Sequence, residues 1–340
     1  MDAAPSTLIL TRGEIARLMT LADYAASAEE AFRALAAGRA LSPPPLHIPA
    51  EGGGFHAKGA RLRTADGGDY AAIKVNGNFP GNPGQGLPTI QGAIVLSDAR
   101  NGQLLAVMDS IEVTLRRTAA ATALAARHLA RKNSKTLTIC GCGDNARAQL
   151  AALMQELPLK RVQAWDINPA AASAFATEMS VKLKLDVQPV DDMAAATKAS
   201  DVIVTCTTSR MPFLEADDVR PGTFIAAIGA DSHDKSELSP ELMARAKVIV
   251  DVLEQCAVMG DLHHAIAAVA MTPGDVHASL ADLVSGRKPG RESENEITIF
   301  DSTGTAVQDA AAAARIYQRA KAANAGLVCT INRTEQEATT

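Results

Sequence analysis

The stretch Thr136-Leu-Thr-Ile-Cys140-Gly141-Cys142-Gly143-Asp144-Asn145-Ala146 decides the fold class of this chain. An apolar strand pattern runs directly into Gly-x-Gly-x-x-Ala, and a helix is predicted over residues 147–156. Gly141 permits the tight turn, Gly143 lets the backbone approach a pyrophosphate, and Ala146 keeps helix and strand close. The helix N-terminus offers unpaired N–H groups to a phosphate. The stretch therefore predicts the dinucleotide-binding turn of a doubly wound sheet.

An acidic residue at the end of the next predicted strand extends this motif. The strand over residues 161–165 ends in Asp166, which lies 25 residues after Gly141. A carboxylate there accepts hydrogen bonds from the adenosine ribose and repels a 2′-phosphate, so NAD(H) is favoured over NADP(H). The alternative is that the glycines only form a turn and Asp166 only caps the helix beginning near Pro169. We prefer the first interpretation because strand, turn, helix and distal acid occur together.

The sequence after residue 112 predicts a Rossmann domain of the α/β class. A long helix over residues 113–130 is followed by short apolar strands that alternate with amphipathic helices, which is typical of a doubly wound parallel sheet. These strands are predicted at residues 136–140, 162–165, 186–189, 201–206, 223–228, 248–250 and 297–300. A final helix over residues 305–323 completes a predicted NAD-binding domain of residues 118–323.

The N-terminal third has a different pattern. The chain is expected to open with helices, since Thr11 and Glu14 have the spacing of a capping box. Asn101-Gly102 favours a hairpin, which indicates an antiparallel sheet in this region. The strands of that sheet are predicted at residues 55–62, 70–75, 89–96 and 103–108. The C-terminal end is expected to return here, giving a smaller α+β domain of residues 1–117 and 324–340, and the polar tail 334–340 is expected to fray.

Composition excludes several classes of function. Among the 340 residues, 33 Lys and Arg oppose 38 Asp and Glu, and a net charge of −5 gives no positive field for nucleic acid. Neither a secretory signal nor a membrane span is expected, and the five cysteines are odd in number, so a cytoplasmic location is predicted. The pair Cys140-x-Cys142 lacks a second Cys or His pair at zinc spacing, so no metal is predicted.

Lys74 is the first candidate for chemistry. It lies near the end of an apolar strand and precedes a loop rich in Asn, Gly and Pro. A lysine beside apolar surface can have a lowered pKa and transfer protons, or it can bind a carboxylate. An edge-strand lysine that discourages aggregation is an equally good interpretation. Arg116 and Arg117 open the long helix, and at most one of them is expected to face a cleft.

Asp231 is a second candidate, because it follows a predicted parallel strand at its carboxyl end, where doubly wound sheets bind ligands. It is a candidate acid or base, and the alternative is a residue that only forms a turn. The chain contains neither Gly-x-Ser-x-Gly, nor a Walker loop, nor His-Glu-x-x-His, which excludes the commonest hydrolase, triphosphatase and zinc-protease classes.

Motifs along nearly the whole chain resemble the ornithine cyclodeaminase and mu-crystallin family. They are Lys74, Asn82-Pro83, Gly86-Leu87-Pro88-Thr89, Leu115-Arg116-Arg117-Thr118-Ala119-Ala120, Gly141-x-Gly-x-x-Ala146, Gly229-x-Asp231-x-x-x-Lys235 and Ile297-Thr-Ile-Phe-Asp301-Ser302-x-Gly304. This family contains ornithine and lysine cyclodeaminases, alanine dehydrogenases of archaeal type, ketimine and pyrroline-2-carboxylate reductases, and mu-crystallin. The resemblance implies a homodimer in which the smaller domain binds substrate and dimerises.

The resemblance also implies roles for individual residues. Lys74 and Asp231 would be catalytic. Arg117 and Thr303 would contact the substrate, and further candidate substrate contacts, at positions that depart from the family's pattern, are His47, His56 and Lys58. Cofactor contacts would come from Thr89, Arg117, Thr118, Gly141, Gly143, Asn145, Ala146, Asp166, Ile167, Asn168, Thr207, Ile228, Gly229, Lys235 and Ser302.

The sequence departs from the cyclodeaminase pattern in the strand before Lys74. Cyclodeaminases carry a glutamate there that is thought to hold the substrate's distal ammonium, whereas residues 54–60 offer only His56, Lys58 and neutral residues, and His47 replaces an arginine. The leading hypothesis is therefore NADH-dependent reduction of an imino acid, or reductive amination of a 2-oxo acid. The alternatives are ornithine cyclodeamination with catalytic NAD and a mu-crystallin-like ligand-binding protein. His56 and Lys58 would suit a second substrate carboxylate.

Overall fold

The computed structural model describes residues 6–331, whose contacts divide into two compact units. Within the described part, unit 1 comprises the residues up to Arg117 together with those from Thr305 onward, and unit 2 is Thr118–Gly304. This division differs from the expected one because the last long helix lies in unit 1. The predicted frayed tail 334–340 lies outside the described residues.

Unit 1 contains a mixed sheet and three helices of its own. The strands are β1 (Thr7–Leu10), β2 (Ala40–Leu41), β3 (Leu46–Ala50), β4 (Gly53–Arg63), β5 (Asp69–Asn78), β6 (Ile90–Asp98), β7 (Leu104–Asp109) and β16 (Leu327–Cys329). The helices are α1 (Arg12–Leu18), α2 (Leu21–Ala36) and α11 (Ala306–Ala323), while α3 (Ser110–Leu129) spans the boundary of the two units. The strand order is β16-β1-β7-β6-β5-β4-β2, and β3 also pairs with β4.

The predicted antiparallel sheet is confirmed as β4 to β7, but the expected helical opening of the chain is wrong. The described part begins with β1, which pairs in parallel with β7 and antiparallel with β16. This strand is only four residues long, and its two partners are distant in sequence, so no local pattern predicts it. The capping box of Thr11 and Glu14 is present at the start of α1.

The two faces of the unit 1 sheet differ in burial. Side chains alternate along β5, so Ala72 and Lys74 share a buried face while Ile73 and Val75 share an exposed one. Helix α11 packs against β4 and β5. The neighbouring strand β6 contributes the fully buried Ile94, which lies directly opposite Lys74 in the register. The covered face therefore holds the core of unit 1 and encloses a lysine.

Unit 2 is a parallel sheet with helices between its strands, as predicted. The strands are β8 (Thr136–Cys140), β9 (Arg161–Trp165), β10 (Asp186–Pro189), β11 (Val202–Thr205), β12 (Phe224–Ala227), β13 (Lys247–Val250), β14 (Ala278–Ser279) and β15 (Thr298–Asp301). The helices are α4 (Asp144–Leu153), α5 (Pro169–Leu183), α6 (Met193–Lys198), α7 (Pro240–Arg245), α8 (Leu253–Cys256), α9 (Asp261–Ala267) and α10 (Leu280–Val284). The strand order is β10-β9-β8-β11-β12-β15-β13-β14.

This strand order creates a topological switch point beside β8. The chain goes from β8 outward to β9 and β10, then returns to the other side of β8 for β11 and β12. Ligands of doubly wound sheets bind at such a point, outside the carboxyl ends of the strands. The strands there are fully buried, with Ile139, Val204 and Ile225 at 0% exposure, so the loops that follow them are attached to a well-packed core.

No helix among the described residues has the length and apolar character needed to cross a bilayer.

Candidate functional site

The loop between β8 and α4 has the geometry that the glycine motif predicts. Gly141 has a φ of +93°, a left-handed conformation that favours glycine. A Cβ on Gly141 would lie 2.9 Å from the carbonyl oxygen of Cys206, too close for another residue type. Gly143 caps α4 without a side-chain hydrogen bond, and a Cβ added to it would meet nothing within 4 Å. The amino end of α4, with Asn145 and the buried Ala146 in its first turn, therefore presents backbone donors to open space.

Asp166 is fixed at the end of β9 by two backbone hydrogen bonds. Its Oδ2 accepts from the N–H of Cys142 at 2.7 Å, and its Oδ1 accepts from the N–H of Asn168 at 2.9 Å. Cys142 lies inside the glycine motif, so the carboxylate and the glycine loop form one unit of structure. Ile167, between these residues, is 90% exposed, and the Asn168 side chain caps α5.

The loops after β11 and β12 hold five more of the predicted residues. The N–H and hydroxyl of Thr207 both donate to a buried glutamate, Glu237, and so does the N–H of Gly229. Asp231 forms an ion pair of 2.6 Å with Lys235, and the Asp231 side chain is half exposed. The structure thus pairs the predicted acid–base residue with a predicted cofactor contact. Ile228 is buried just before this loop.

The segment after β15 is held from inside unit 2 by Asp251. The carboxylate of Asp251 accepts from the hydroxyl of Ser302 at 3.2 Å, the hydroxyl of Thr303 at 3.1 Å and the N–H of Gly304 at 2.6 Å. Ser302 and Thr303 are buried, with exposures of 4% and 1%. Their hydroxyls therefore fix the backbone of the segment that the sequence predicts to be near ligands.

In unit 1, Lys74 and Arg117 share one buried carboxylate. The Nζ of Lys74 lies 2.7 Å from Oδ2 of Asp309, and the Nε of Arg117 donates to Oδ1 of the same residue at 2.9 Å. All three side chains are almost fully buried, at 5%, 6% and 1% exposure. Lys74 comes from β5, Arg117 from α3 and Asp309 from the first turns of α11. The structure therefore brings together the predicted catalytic lysine and the predicted carboxylate-binding arginine.

The electrostatics of this cluster lower the pKa of Lys74. Burial and, second, the charge of Arg117 lower the pKa of Lys74 to about 7, although Asp309 acts in the opposite direction. Burial alone would raise the pKa of Asp309, but Arg117 and Lys74 together lower it. A lysine with a pKa near 7 exists in both protonation states at neutral pH, which a general acid or base requires.

Strand β4 adds basic residues to the same face of the sheet. Lys58 lies directly opposite Lys74 in the β4–β5 register, and His56 lies directly opposite Asn76. The charge of Lys58 also lowers the pKa of Lys74. His47 on β3 is the register partner of His56, and their ring centroids are 4.5 Å apart. The three predicted residues of this segment therefore extend from Lys74 along one face.

Thr89 and Thr118, two further predicted cofactor contacts, accept hydrogen bonds through their carbonyl oxygens. The carbonyl of Thr89, just before β6, accepts from the N–H of Phe79 at 2.9 Å. The carbonyl of Thr118 in α3 accepts from the hydroxyl of Thr122. Among residues 6–331, no three His, Cys, Asp or Glu side chains form a group that could hold a metal ion.

Sequence reasoning missed three buried carboxylates that organise these groups: Asp309, Glu237 and Asp251. A signal for Asp309 exists, because it lies on the same helical stripe as Ala313, Ile316 and Ala320, all of which are buried. A lone acid on an apolar stripe indicates a buried cationic partner. Glu237 and Asp251 lie outside regular elements, where periodicity gives no sign of burial.

Proteins with this fold and similar sequences are known. An alanine dehydrogenase of Archaeoglobus fulgidus is 40% identical over 321 residues, which cover 94% of this chain and 97% of that protein. The solved structure of an archaeal alanine dehydrogenase dimer with bound NAD is similar, with a TM-score of 0.91, 39% identity and coverage of 96% and 99% of the two chains.

A second similar structure is the Delta(1)-pyrroline-2-carboxylate reductase of Thermococcus litoralis in complex with NADH and L-proline. It has a TM-score of 0.90 and 34% identity, and the match covers 94% of this chain and 99% of that one. The family model of the ornithine cyclodeaminase/mu-crystallin family matches residues 6–324. Since that match spans almost all of the described residues, the chain belongs to the ornithine cyclodeaminase/mu-crystallin family.

Proposed function

We propose that this protein is an NADH-dependent oxidoreductase that reduces an imino acid to an amino acid, or reductively aminates a 2-oxo acid. The observation that carries this proposal is the buried cluster in which Lys74 and Arg117 share Asp309. Two cations and one carboxylate leave a net positive charge in the interior. A substrate carboxylate would balance that charge, and the neighbouring Lys74 has the pKa of a proton donor.

Unit 2 would hold the cofactor, and its residues fit a dinucleotide. The open amino end of α4 at Gly143 suits a pyrophosphate, and the fixed carboxylate of Asp166 suits the adenosine ribose. The exposed Ile167 offers apolar surface beside that carboxylate for the adenine ring. When bound, NADH supplies the hydride that reduces the imine carbon.

The residues of this chain would bind and protonate the substrate. Arg117 would bind the α-carboxylate, and Asp309 would keep Arg117 and Lys74 oriented toward it. Asp231, which forms an ion pair with Lys235, would handle the proton at the substrate nitrogen. These roles do not require an amino group on the substrate side chain.

The basic character of β4 argues against ornithine cyclodeamination. Lys58 is the cross-strand neighbour of Lys74, and His56 continues the same face. A distal ammonium needs an anionic partner in a closed site, and these residues would repel it. They would instead suit a substrate with a second carboxylate. A mu-crystallin-like binding protein would bind NADH without consuming it, so an assay of NADH oxidation distinguishes it from a reductase.

We also propose a homodimer formed through the open face of the unit 1 sheet. On that face Ile73 and Val75 of β5 are 52% and 43% exposed, and Val95, which pairs with Ile73, is 36% exposed. Phe55 on β4 and Ile9 on β1 extend this apolar surface across the sheet. A contiguous apolar sheet face of this kind is typical of an interface between subunits.

A cytoplasmic location is consistent with the cysteines. All five, Cys140, Cys142, Cys206, Cys256 and Cys329, are free thiols. Free thiols persist in reducing compartments.

The test is NADH oxidation with a panel of 2-oxo acids plus ammonia or methylamine, and with cyclic imino acids. We expect at least one substrate to consume NADH and yield an equal amount of amino acid. Lys74→Met protein, assayed in parallel, provides the blank for background oxidation. Binding of NADH without consumption across the whole panel would refute the reductase and favour a ligand-binding protein.

A further inference from the structure

One buried side chain of unit 2 connects two loops of the switch point. Glu237 is fully buried, and its Oε1 accepts from the N–H of Thr207 at 2.6 Å and from the hydroxyl of Thr207 at 2.7 Å. Its Oε2 accepts from the N–H of Gly229 at 2.8 Å. Thr207 follows β11 and Gly229 follows β12, so one carboxylate ties together the loops of two adjacent strands.

The packing around this carboxylate is tight. A Cβ on Gly229 would collide with Oε1 of Glu237 and with the carbonyl oxygen of Thr207. The second loop can therefore lie against the carboxylate only because residue 229 is glycine. The position of each loop depends on the other through the Glu237 side chain.

Glu237 is itself anchored to the rest of unit 2. Its N–H donates to Oδ1 of Asp261 at 2.8 Å, and its carbonyl accepts from the N–H groups of Phe213 and Leu214, both at 3.0 Å. The main chain of Glu237 is thus fixed on both sides. The Glu237 carboxylate therefore extends from a backbone that is held in place by hydrogen bonds.

The sheet order indicates which part of a dinucleotide these loops would meet. Asp166 and the glycine loop stand at the ends of β9 and β8, where the adenosine ribose and the pyrophosphate bind in a doubly wound fold. The strands β11 and β12 continue the sheet on the other side of β8. A dinucleotide that crosses the switch point places its nicotinamide half over that side.

We propose that Glu237 is a positioning residue that sets the loops of Thr207 and Gly229 for the nicotinamide half of NADH. This inference rests on the proposed function. Three donors converge on Glu237, and only an ionised carboxylate can accept from all of them without turning a donor toward another donor. An amide in its place would offer one oxygen and two competing N–H groups.

The test compares binding of NADH with binding of AMP, which carries only the adenosine side and one phosphate. We expect Glu237→Gln to raise the Kd for NADH on the order of 10-fold, as expected for loss of a charge-assisted hydrogen bond, and to leave the Kd for AMP within about twofold. A role in overall stability alone would weaken both ligands together.

Asp201→Asn is the matched control. Asp201 is a partly buried carboxylate of the same sheet that accepts from the N–H groups of Lys135 and Thr136, but it stands at the amino end of the strands. This variant should lose stability in urea while both ligands retain wild-type Kd values. Wild-type NADH affinity in Glu237→Gln, or an equal loss of NADH affinity in Asp201→Asn, would overturn the inference. Failure of the wild-type chain to bind NADH would instead refute the proposed function.

If the Glu237→Gln variant does not fold, the test is the pH dependence of NADH binding by the wild-type protein. Burial and, second, the charge of Asp261 raise the pKa of Glu237 to about 7. The other charged or titratable groups near Glu237 are Lys235, Cys140 and Cys206. Protonation of Glu237 below pH 7 would disrupt its hydrogen bonds to Thr207 and Gly229. The Kd for NADH should therefore rise as the pH falls from 8 to 6, while the Kd for AMP stays constant. A constant Kd for NADH over this range would overturn the inference.

Discussion

At the scale of single residues, the cluster around Lys74 explains how a charged side chain is stable inside unit 1. A buried cation without a partner costs several kcal/mol, and Asp309 supplies the partner at 2.7 Å. Arg117 competes for the same carboxylate, and this competition helps to hold the pKa of Lys74 near 7. Asp309 thus stabilises the buried lysine, while its pKa near 7 lets it donate or accept a proton at neutral pH.

Lys74→Met should lower kcat by about 10²–10⁴-fold, the usual contribution of a general acid or base, and should leave the Kd for NADH unchanged. Methionine fills the buried space without the charge, so the variant should fold. Steady-state kinetics and NADH titration measure the two quantities. Lys160→Met, at an exposed lysine of unit 2, is the control. A Lys74→Met variant with most of its activity would identify Lys74 as a structural residue.

NADH should be preferred over NADPH because the Asp166 carboxylate, fixed by Cys142 and Asn168, would face the 2′-phosphate. Asp166→Ser should raise the relative kcat/KM with NADPH, since it removes this like-charge contact. The ratio of kcat/KM values for the two cofactors is the measurement. Equal values for the wild-type protein would contradict the role given to Asp166.

At the scale of elements, sequence reasoning located the parallel strands well and the buried acids poorly. Strand β8 was predicted with its observed ends, because an apolar run that leads directly into a glycine turn is a local signal. Strands β1 and β16 pair with each other from opposite ends of the chain, and no local pattern carries that information. The pairing of Asp309 with Lys74 likewise depends on α11 packing against β4 and β5, which only the folded chain provides.

The pairing of α11 with the sheet should make Asp309 important for stability. Asp309→Asn removes the only acidic member of the triad with Lys74 and Arg117, and loss of one partner of a buried ion pair costs about 3–5 kcal/mol. Urea unfolding should therefore show a decrease of about 3 kcal/mol in the free energy of unfolding. Glu51→Gln, at an exposed turn of the same unit, should change it by less than about 0.5 kcal/mol. A loss below about 1 kcal/mol in Asp309→Asn would mean that the triad is weakly coupled.

At the scale of the whole molecule, the sheet of unit 1 has one face covered by helices and one face of exposed apolar residues. A monomer would leave Ile73, Val75 and Phe55 in water, whereas a dimer would bury them at about 25 cal/mol per Å² of apolar surface. Lys74 and the proposed interface occupy opposite faces of one strand, β5.

Ile73→Lys should dissociate the proposed dimer, because it places two like charges in an apolar interface. Sedimentation velocity at several protein concentrations measures the change. Val181→Lys, at a residue of α5 that is 78% exposed, should leave the dimer intact. A wild-type protein that sediments as a monomer would contradict the proposed interface.

The central claim is tested most directly by incubating the protein with ornithine plus catalytic NAD⁺ and, separately, with an imino acid plus NADH. We predict that the imino acid is consumed in step with NADH, and that ornithine releases little ammonia and forms little proline. The reason is that Lys58 and His56 stand beside Lys74 where a distal ammonium would need an acid. Rapid proline formation from ornithine, with no net consumption of NADH by any imino acid, would contradict the account.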